Sequence, residues 1–284
     1  MSTDPIEGRE HAGARIHLWT DVGAVGPLAL ATRTGGTVIV VTRHGPHRES
    51  NEDGALVVCR DDATLIAVAD GMGGMNAGEV ASRITLERVA ERFAEAETSE
   101  ALRHAVVDGL EAANAEIVES RLGAGTTFVG LIVENDVART IHVGDSEAYH
   151  LGRRGRLKAR TLPHSPVGYE LEAGHIDEEE AMVHAERHLL TNHVGMLGMR
   201  IELGAATPCA PFDRFLVGTD GLLDNLMRDE IVERACTNDE FEAARLLLED
   251  ATARMASPRG EPGKPDDLTF VLHVRARESE AVED

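Results

Sequence analysis

Acidic residues in this chain fall repeatedly where an apolar run ends or begins. Asp70 follows TLIAVA (64–69) and precedes GMGG. Asp220 follows RFLVGT and precedes Gly221, and Asp145 follows TIHVG and precedes Ser146. Asp266 and Asp267 lead into LTFVLHV (268–274), and Glu52 and Asp53 lead into the run ALVVC (55–59). A lone Asp before Gly is ordinarily a turn residue, because its side chain bonds the nearby backbone. Five such places in one chain point instead to a sheet edge that gathers acids in space. Carboxylates so gathered cannot all stay ionised without compensating charge. Magnesium and manganese supply it, being hard cations that favour oxygen ligands in octahedral geometry. Two such ions can activate a shared water for attack on phosphorus. Gly71 allows close backbone approach, which makes its carbonyl a candidate ligand.

The elements that must position these acids are legible as β-branched apolar runs. They lie at 37–42, 55–59, 64–69, 127–133, 137–143, 214–218 and 268–274. Amphipathic patterns place helices over 77–96, 99–120 and 239–255. Neighbouring strands are joined by short turns such as Glu134-Asn135-Asp136 and Gly152 to Gly155. Hairpins with segregated helices indicate an α+β fold of antiparallel sheets covered by helices, not a βαβ winding. Residues 1–35 lack clear periodicity and read as a partly ordered N-terminal extension, 36–277 as the domain proper, and 278–284 as an acidic tail.

Composition narrows the partners. The chain has 284 residues, 50 Asp+Glu against 28 Lys+Arg, and a formal net charge of -22, which argues against binding nucleic acid or an anionic membrane through bulk charge. At 42% hydrophobic the sequence is too apolar for a disordered chain. No apolar run approaches the roughly 20 residues that span a bilayer. Val22 to Ala31 is broken by Gly and Pro and lacks the basic head of a secretory signal. Cys59, Cys209 and Cys236 are few, odd in number and far apart, which suits a reducing cytoplasmic compartment. GMGGMNAG does not match GxGxxG, and no P-loop is present, so nucleotide cradling is poorly supported. His184 and His188 have a zinc-compatible spacing, but the string HAERH lacks the glutamate of HExxH, and a solvated helix face is the better reading. Arg153-Arg-Gly-Arg156 with Lys158 reads as a solvated hairpin tip.

In order along about 36 to 275, the chain resembles the metal-dependent serine/threonine protein phosphatases, type 2C or PPM, of bacterial type. Arg48-Glu-Ser-Asn-Glu-Asp53 resembles their R-x-x-N-E-D segment. Asp70-Gly-Met-Gly-Gly74 followed by Ala77-Gly-Glu79 resembles D-G-M-G-G-x-x-A-G-E. Gly125-Thr-Thr127, Gly144-Asp-Ser146, Thr219-Asp-Gly221 and Pro265-Asp-Asp-Leu-Thr269 resemble G-T-T, G-D-S-R, S-D-G and D-[ND]-x-T.

The resemblance implies a four-layer α-β-β-α sandwich. It implies hydrolysis of phosphoserine and phosphothreonine in proteins by a hydroxide bridging two Mn2+ or Mg2+ ions, in opposition to a bacterial Ser/Thr kinase. By motif position, Asp70 bridges both metals, the Gly71 carbonyl binds the first, and Asp220 and Asp266 bind the second. Glu52 and Asp53 hold metal-bound waters, and Asp145 joins Asp220 at a third, weaker position. Arg48 clamps the substrate phosphate, a task that suits a planar bidentate donor. Arg48, Asp70 and Asp220 are thus the expected catalytic residues.

Several positions depart from that pattern. Arg43 stands where the family has an acid, and Met72 and Met75 where members carry His. Glu147 replaces the Arg of G-D-S-R, so an ion pair there is lost or reversed, and Pro163 replaces an Asp at the start of the flap. The competing reading is a catalytically silent, phosphoprotein-binding relative. A calcium-binding protein is a weaker option, because no EF-hand loop pattern occurs.

Overall fold

The computed structural model describes residues 8–46, 48–73, 77–257 and 263–276. Met75 and the tail 278–284 lie outside the described residues. The described chain begins with β1 (Arg9–His11), β2 (Ala14–Thr20), β3 (Ala24–Ala31), β4 (Gly36–Arg43), β5 (Asp53–Cys59) and β6 (Ala63–Met72). Two long helices follow, α1 (Ala77–Glu95) and α2 (Leu102–Ser120). Next come β7 (Gly125–Thr126), β8 (Phe128–Glu134), β9 (Val137–Val143), β10 (Glu147–Leu151) and β11 (Leu157–Arg160). The short helices α3 (Pro166–Glu172) and α4 (Glu178–Met182) lead to β12 (Glu202–Leu203) and β13 (Thr207–Pro208). Then come β14 (Arg214–Gly218), α5 (Asp220–Leu223), α6 (Arg228–Ala235), α7 (Glu240–Met255) and β15 (Leu268–Arg275).

A nine-stranded sheet has the order β1-β2-β5-β6-β8-β9-β12, with β13 also on β9 and β7 on β6. A six-stranded sheet has the order β11-β10-β14-β15-β4-β3. Strand period 2 then sorts the apolar side chains into three cores. Leu56, Val58, Phe128 and Ile132 face outward onto α1 and α2, packing with Leu86, Phe93 and Leu110. Ile39, Val41, Leu216, Phe270 and Leu272 face outward onto α5–α7, packing with Leu222, Ile231 and Leu247. The alternate residues Val38, Val40, Val57, Val129, Leu131, Phe215, Val217 and Val271 meet between the sheets. These are four layers, helix, sheet, sheet and helix, as expected. Within one helix layer α1 and α2 pack closely: a Cβ on Gly109 of α2 would lie 2.7 Å from the Val89 Cα of α1.

Two expectations are corrected. Residues 9–31 are not an extension but strands in both sheets, with β2 paired to β5 and β3 paired to β4. Their sequence hides this because β2 buries both faces: Ala14 and Ile16 go to the outer core and Trp19 to the inter-sheet core. No simple apolar alternation results. The HAERH stretch (184–188) is not helical, since α4 ends at Met182 and turns follow. His184 and His188 therefore share no helix face.

Candidate metal and phosphate site

The expected acids converge at one end of both sheets. Asp53 and Asp70 are directly opposed partners in β5 and β6. Asp145 lies just before β10, Asp220 begins α5 at the end of β14, and Asp266 lies just before β15. A polar network holds this edge. Thr219 Oγ1 donates to Asp53 Oδ2 at 2.8 Å, and the Thr219 backbone N–H donates to the Thr269 carbonyl at 3.0 Å. Asn51 accepts from the Asp53 N–H through Oδ1 and donates to Thr42 Oγ1, which bonds Thr269 Oγ1 at 2.7 Å. Ends of β4, β5, β14 and β15 are thus stitched across the gap between the sheets.

The small-residue motifs hold Asp70 in the same way. Thr127 Oγ1 accepts from the Asp70 N–H at 3.0 Å, the Thr127 N–H donates to the Asp70 carbonyl at 2.8 Å, and Thr127 Oγ1 bonds Ser146 Oγ at 2.7 Å. Glycines follow from backbone crowding. A Cβ on Gly71 would lie 2.2 Å from the Gly78 carbonyl oxygen and 2.6 Å from that of Glu52. A Cβ on Gly78 would meet Glu52 Oε1 at 2.7 Å.

Electrostatics marks the cluster as short of positive charge. Burial pushes the Asp53 and Asp70 carboxyls well above the usual range; Asp267 and Asp220 add to this at Asp53, and Asp220 and Asp53 at Asp70. Asp145 is pushed up to about 8, by burial first and then by Asp220 and Asp224. Burial also raises Asp220, against the pull of Lys264, and Glu52, against Arg48. Among the described residues, Asp53 Oδ1 is buried without a hydrogen-bond partner. These carboxylates fit divalent cations, which supply the missing charge to hard oxygen donors.

Two basic side chains reach into the cluster. Arg48 is ion-paired to Asp266, lies 2.8 Å from Glu52 Oε2, and lies 3.4 Å from Asp267 Oδ2. The expected phosphate ligand is thus held by the acids it adjoins. Lys264 Nζ is ion-paired to Asp220 and lies 3.1 Å from Asp266 Oδ2 and 3.4 Å from Asp224 Oδ2. Sequence reasoning missed Lys264 and Asp224. Asp224 had a signal, one helical turn after Asp220. Asp267, read only as part of a strand entry, is 2% exposed and accepts from the Gly45 and Glu52 N–H groups at 2.7 and 2.8 Å. It fixes the loop that carries Arg48.

The departures resolve individually. Glu147 is paired to Arg160 at 2.9 Å, so the charge order is reversed and an ion pair is kept. Arg43 is exposed at the end of β4. Beyond Pro163, His164 clamps the Asp145 turn: its N–H donates to the Gly144 carbonyl at 2.9 Å, and its Nδ1 accepts from the Gly144 N–H at 3.0 Å. His164, His142 and Glu202 are the three-residue group, among the described residues, whose donor atoms lie within 4.8 Å of one another. With Nδ1 accepting, His164 carries its proton on Nε2, 3.2 Å from Glu202 Oε2. That proton makes a hydrogen bond where a metal needs a lone pair.

The family described as Protein phosphatase 2C matches residues 42–257. The serine/threonine phosphatase stp of Listeria monocytogenes is 32% identical over 245 residues, covering 82% of this chain and 94% of the relative. The PstP phosphatase of Mycobacterium tuberculosis is 32% identical over 231 residues, 79% of this chain and 42% of that protein. Among solved structures, Stp1 of Staphylococcus aureus superposes with a TM-score of 0.73 at 25% identity, covering 89% of this chain and 100% of that one. The PstP catalytic domain in complex with two manganese ions gives 0.67 at 28% identity, covering 84% and 98%. The chain belongs to the protein phosphatase 2C family.

Proposed function

We propose that this chain is a metal-dependent protein phosphatase acting on phosphoserine and phosphothreonine. The observation that carries the reading is the half-buried carboxylate cluster, with the opposed Asp53–Asp70 pair, the raised Asp145 and, among the described residues, the unpartnered Asp53 Oδ1. The names of its relatives as serine/threonine phosphatases support the substrate class. Asp70, the Gly71 carbonyl, Asp220 and Asp266 would hold two Mn2+ or Mg2+ ions, Glu52 and Asp53 their waters, and Asp145 with Asp220 a third, weaker ion. Such ions supply Lewis acidity and an activated water for attack on phosphorus.

The chain's own residues do the rest. Arg48 exchanges part of its pairing with Glu52 and Asp266 for phosphoryl oxygens, using a fork of five donors that tolerates shared partners. Asp267 keeps the Arg48 loop in place through Gly45 and Glu52. Thr127 and Thr219 hold Asp70 and Asp53 in register. A phosphorylated protein is the substrate and a bacterial Ser/Thr kinase the opposing enzyme. Three unpaired cysteines favour a cytoplasmic setting, and among the described residues no helix is long and apolar enough to cross a membrane.

The second reading, a silent phosphoprotein-binding relative, draws on Arg48 and Lys264 already pairing the acids. Titrating Mn2+ against hydrolysis of p-nitrophenyl phosphate and a phosphothreonine peptide separates the two. Metal-dependent release of phosphate from both is the expected result. Peptide binding without turnover at any Mn2+ concentration would replace the enzyme with the binding module.

A further inference from the structure

Lys264 stands on a rigid base. Its N–H donates to Asn225 Oδ1 at 2.9 Å, and its carbonyl accepts from Asn225 Nδ2 at 2.9 Å. Asn225 is fully buried and also donates to the Gly221 carbonyl at 3.0 Å. Pro265 fixes the next φ. The side chain is therefore launched from the backbone that also carries Asp266, toward the helix that carries Asp220.

At its far end an ammonium offers three donors and no acceptor. Three carboxylates surround it: Asp220, Asp266 at 3.1 Å and Asp224 at 3.4 Å. Asp220 and Asp266 are the side chains assigned above to the second ion. Asp70, Asp53 and the Gly71 carbonyl lie outside this ion-pair set.

We propose that the Lys264 ammonium is a built-in occupant of the Asp220–Asp224–Asp266 corner, so that a divalent cation loads there only by displacing it. Lys264 thus separates the affinities of the metal positions, leaving the Asp70–Gly71 position strong and the Asp220–Asp266 position weak. It also stabilises the metal-free protein, whose corner would otherwise hold three acids with only Arg48, paired to Asp266, to offset them. This inference rests on the metal-site reading above.

The test is Mn2+ binding by isothermal titration calorimetry, with thermal melting in EDTA and in Mn2+, on wild type, K264M, K264Q and K264R. Wild type should show a strong and a weak class of Mn2+ site. In K264M and K264Q the weak class should tighten by at least about tenfold, the equivalent of about 1.4 kcal/mol, while K264R stays near wild type. In EDTA the two neutral variants should melt below wild type and regain more on adding Mn2+. A neutral variant that folds only with Mn2+ bound supports the proposal in the same way. Mn2+ isotherms of K264M and K264Q superimposable on wild type would overturn it and leave the metal site standing. No Mn2+ binding by any of the four proteins would remove the metal-site reading and this inference together.

Discussion

Asp53 and Asp70 face each other as direct partners across β5 and β6, two acids at one register position of an antiparallel pair. Like charges directly opposite destabilise a sheet. Here burial worsens the conflict, pushing both carboxyls well above their usual range. A divalent cation bound between them would relieve the conflict. Replacing Asp70 with Asn should therefore lower metal-dependent kcat/KM by on the order of 1000-fold and raise the melting temperature of the protein in EDTA. Both are read on one preparation. A D70N enzyme with wild-type turnover would show that Asp70 holds no essential ion.

Gly71 tests the backbone side of the site. With the Gly78 carbonyl oxygen 2.2 Å from where a Cβ would stand, the clash is with backbone and cannot be relieved by a rotamer change. Gly71→Ala should cost about 1–3 kcal/mol of stability and weaken Mn2+ binding, because β6 and α1 must part. Urea unfolding and Mn2+ titration measure the two effects. Unchanged behaviour in both would mean that the close approach is relaxed in solution.

Glu147 and Arg160 are 12% and 11% exposed and 2.9 Å apart, a mostly buried pair in which the acid stands at the family's arginine position. Removing one partner from a buried pair costs about 3–5 kcal/mol, whereas replacing both is much milder. Arg160 also holds the exposed Glu172, and solvent there reduces the penalty. R160M and E147Q alone should each destabilise by about 3 kcal/mol, and the double variant by clearly less than their sum. A double-mutant cycle with strictly additive losses would deny the coupling.

His273 gives the pH dependence. It is fully buried on β15, its Nδ1 bonds the Thr37 carbonyl, and its Nε2 has no partner among the described residues. Burial lowers its pKa from 6.5 to about 4. Below pH 6.5 the unfolded chain takes up a proton that the folded one refuses until about pH 4, so stability falls with pH across that window. The contribution is on the order of 3 kcal/mol at most. His273→Phe keeps a ring beside Phe215 and removes the titration, so its stability should fall less than that of wild type between pH 6.5 and 4. Parallel stability–pH curves for the two proteins would be inconsistent with a depressed His273.

Much of this architecture was legible because the buried strands declare themselves. TVIVVT is β-branched throughout and LTFVLHV is mostly apolar, since both faces of β4 and β15 are covered by apolar layers. The acids stood out by position, each at the mouth of such a run. What stayed hidden depends on long-range pairing. β1–β3 carry charge, Gly and Pro and gain their order only from β4 and β5. Asp267 and Thr219 look like ordinary loop residues until β14 and β15 bring them to Asp53 and Glu52. Lys264 is an unremarked lysine in sequence. Its meaning comes from Asn225, which lies 39 positions earlier and fixes its backbone.

The most direct test of the central claim is an anomalous difference map from crystals soaked in Mn2+, collected above the manganese edge. The account predicts two peaks, the stronger beside Asp70 and the Gly71 carbonyl and the weaker beside Asp220 and Asp266, with Lys264 swung away from Asp220. A map flat over these side chains, in crystals whose protein hydrolyses a phosphothreonine peptide, would contradict it.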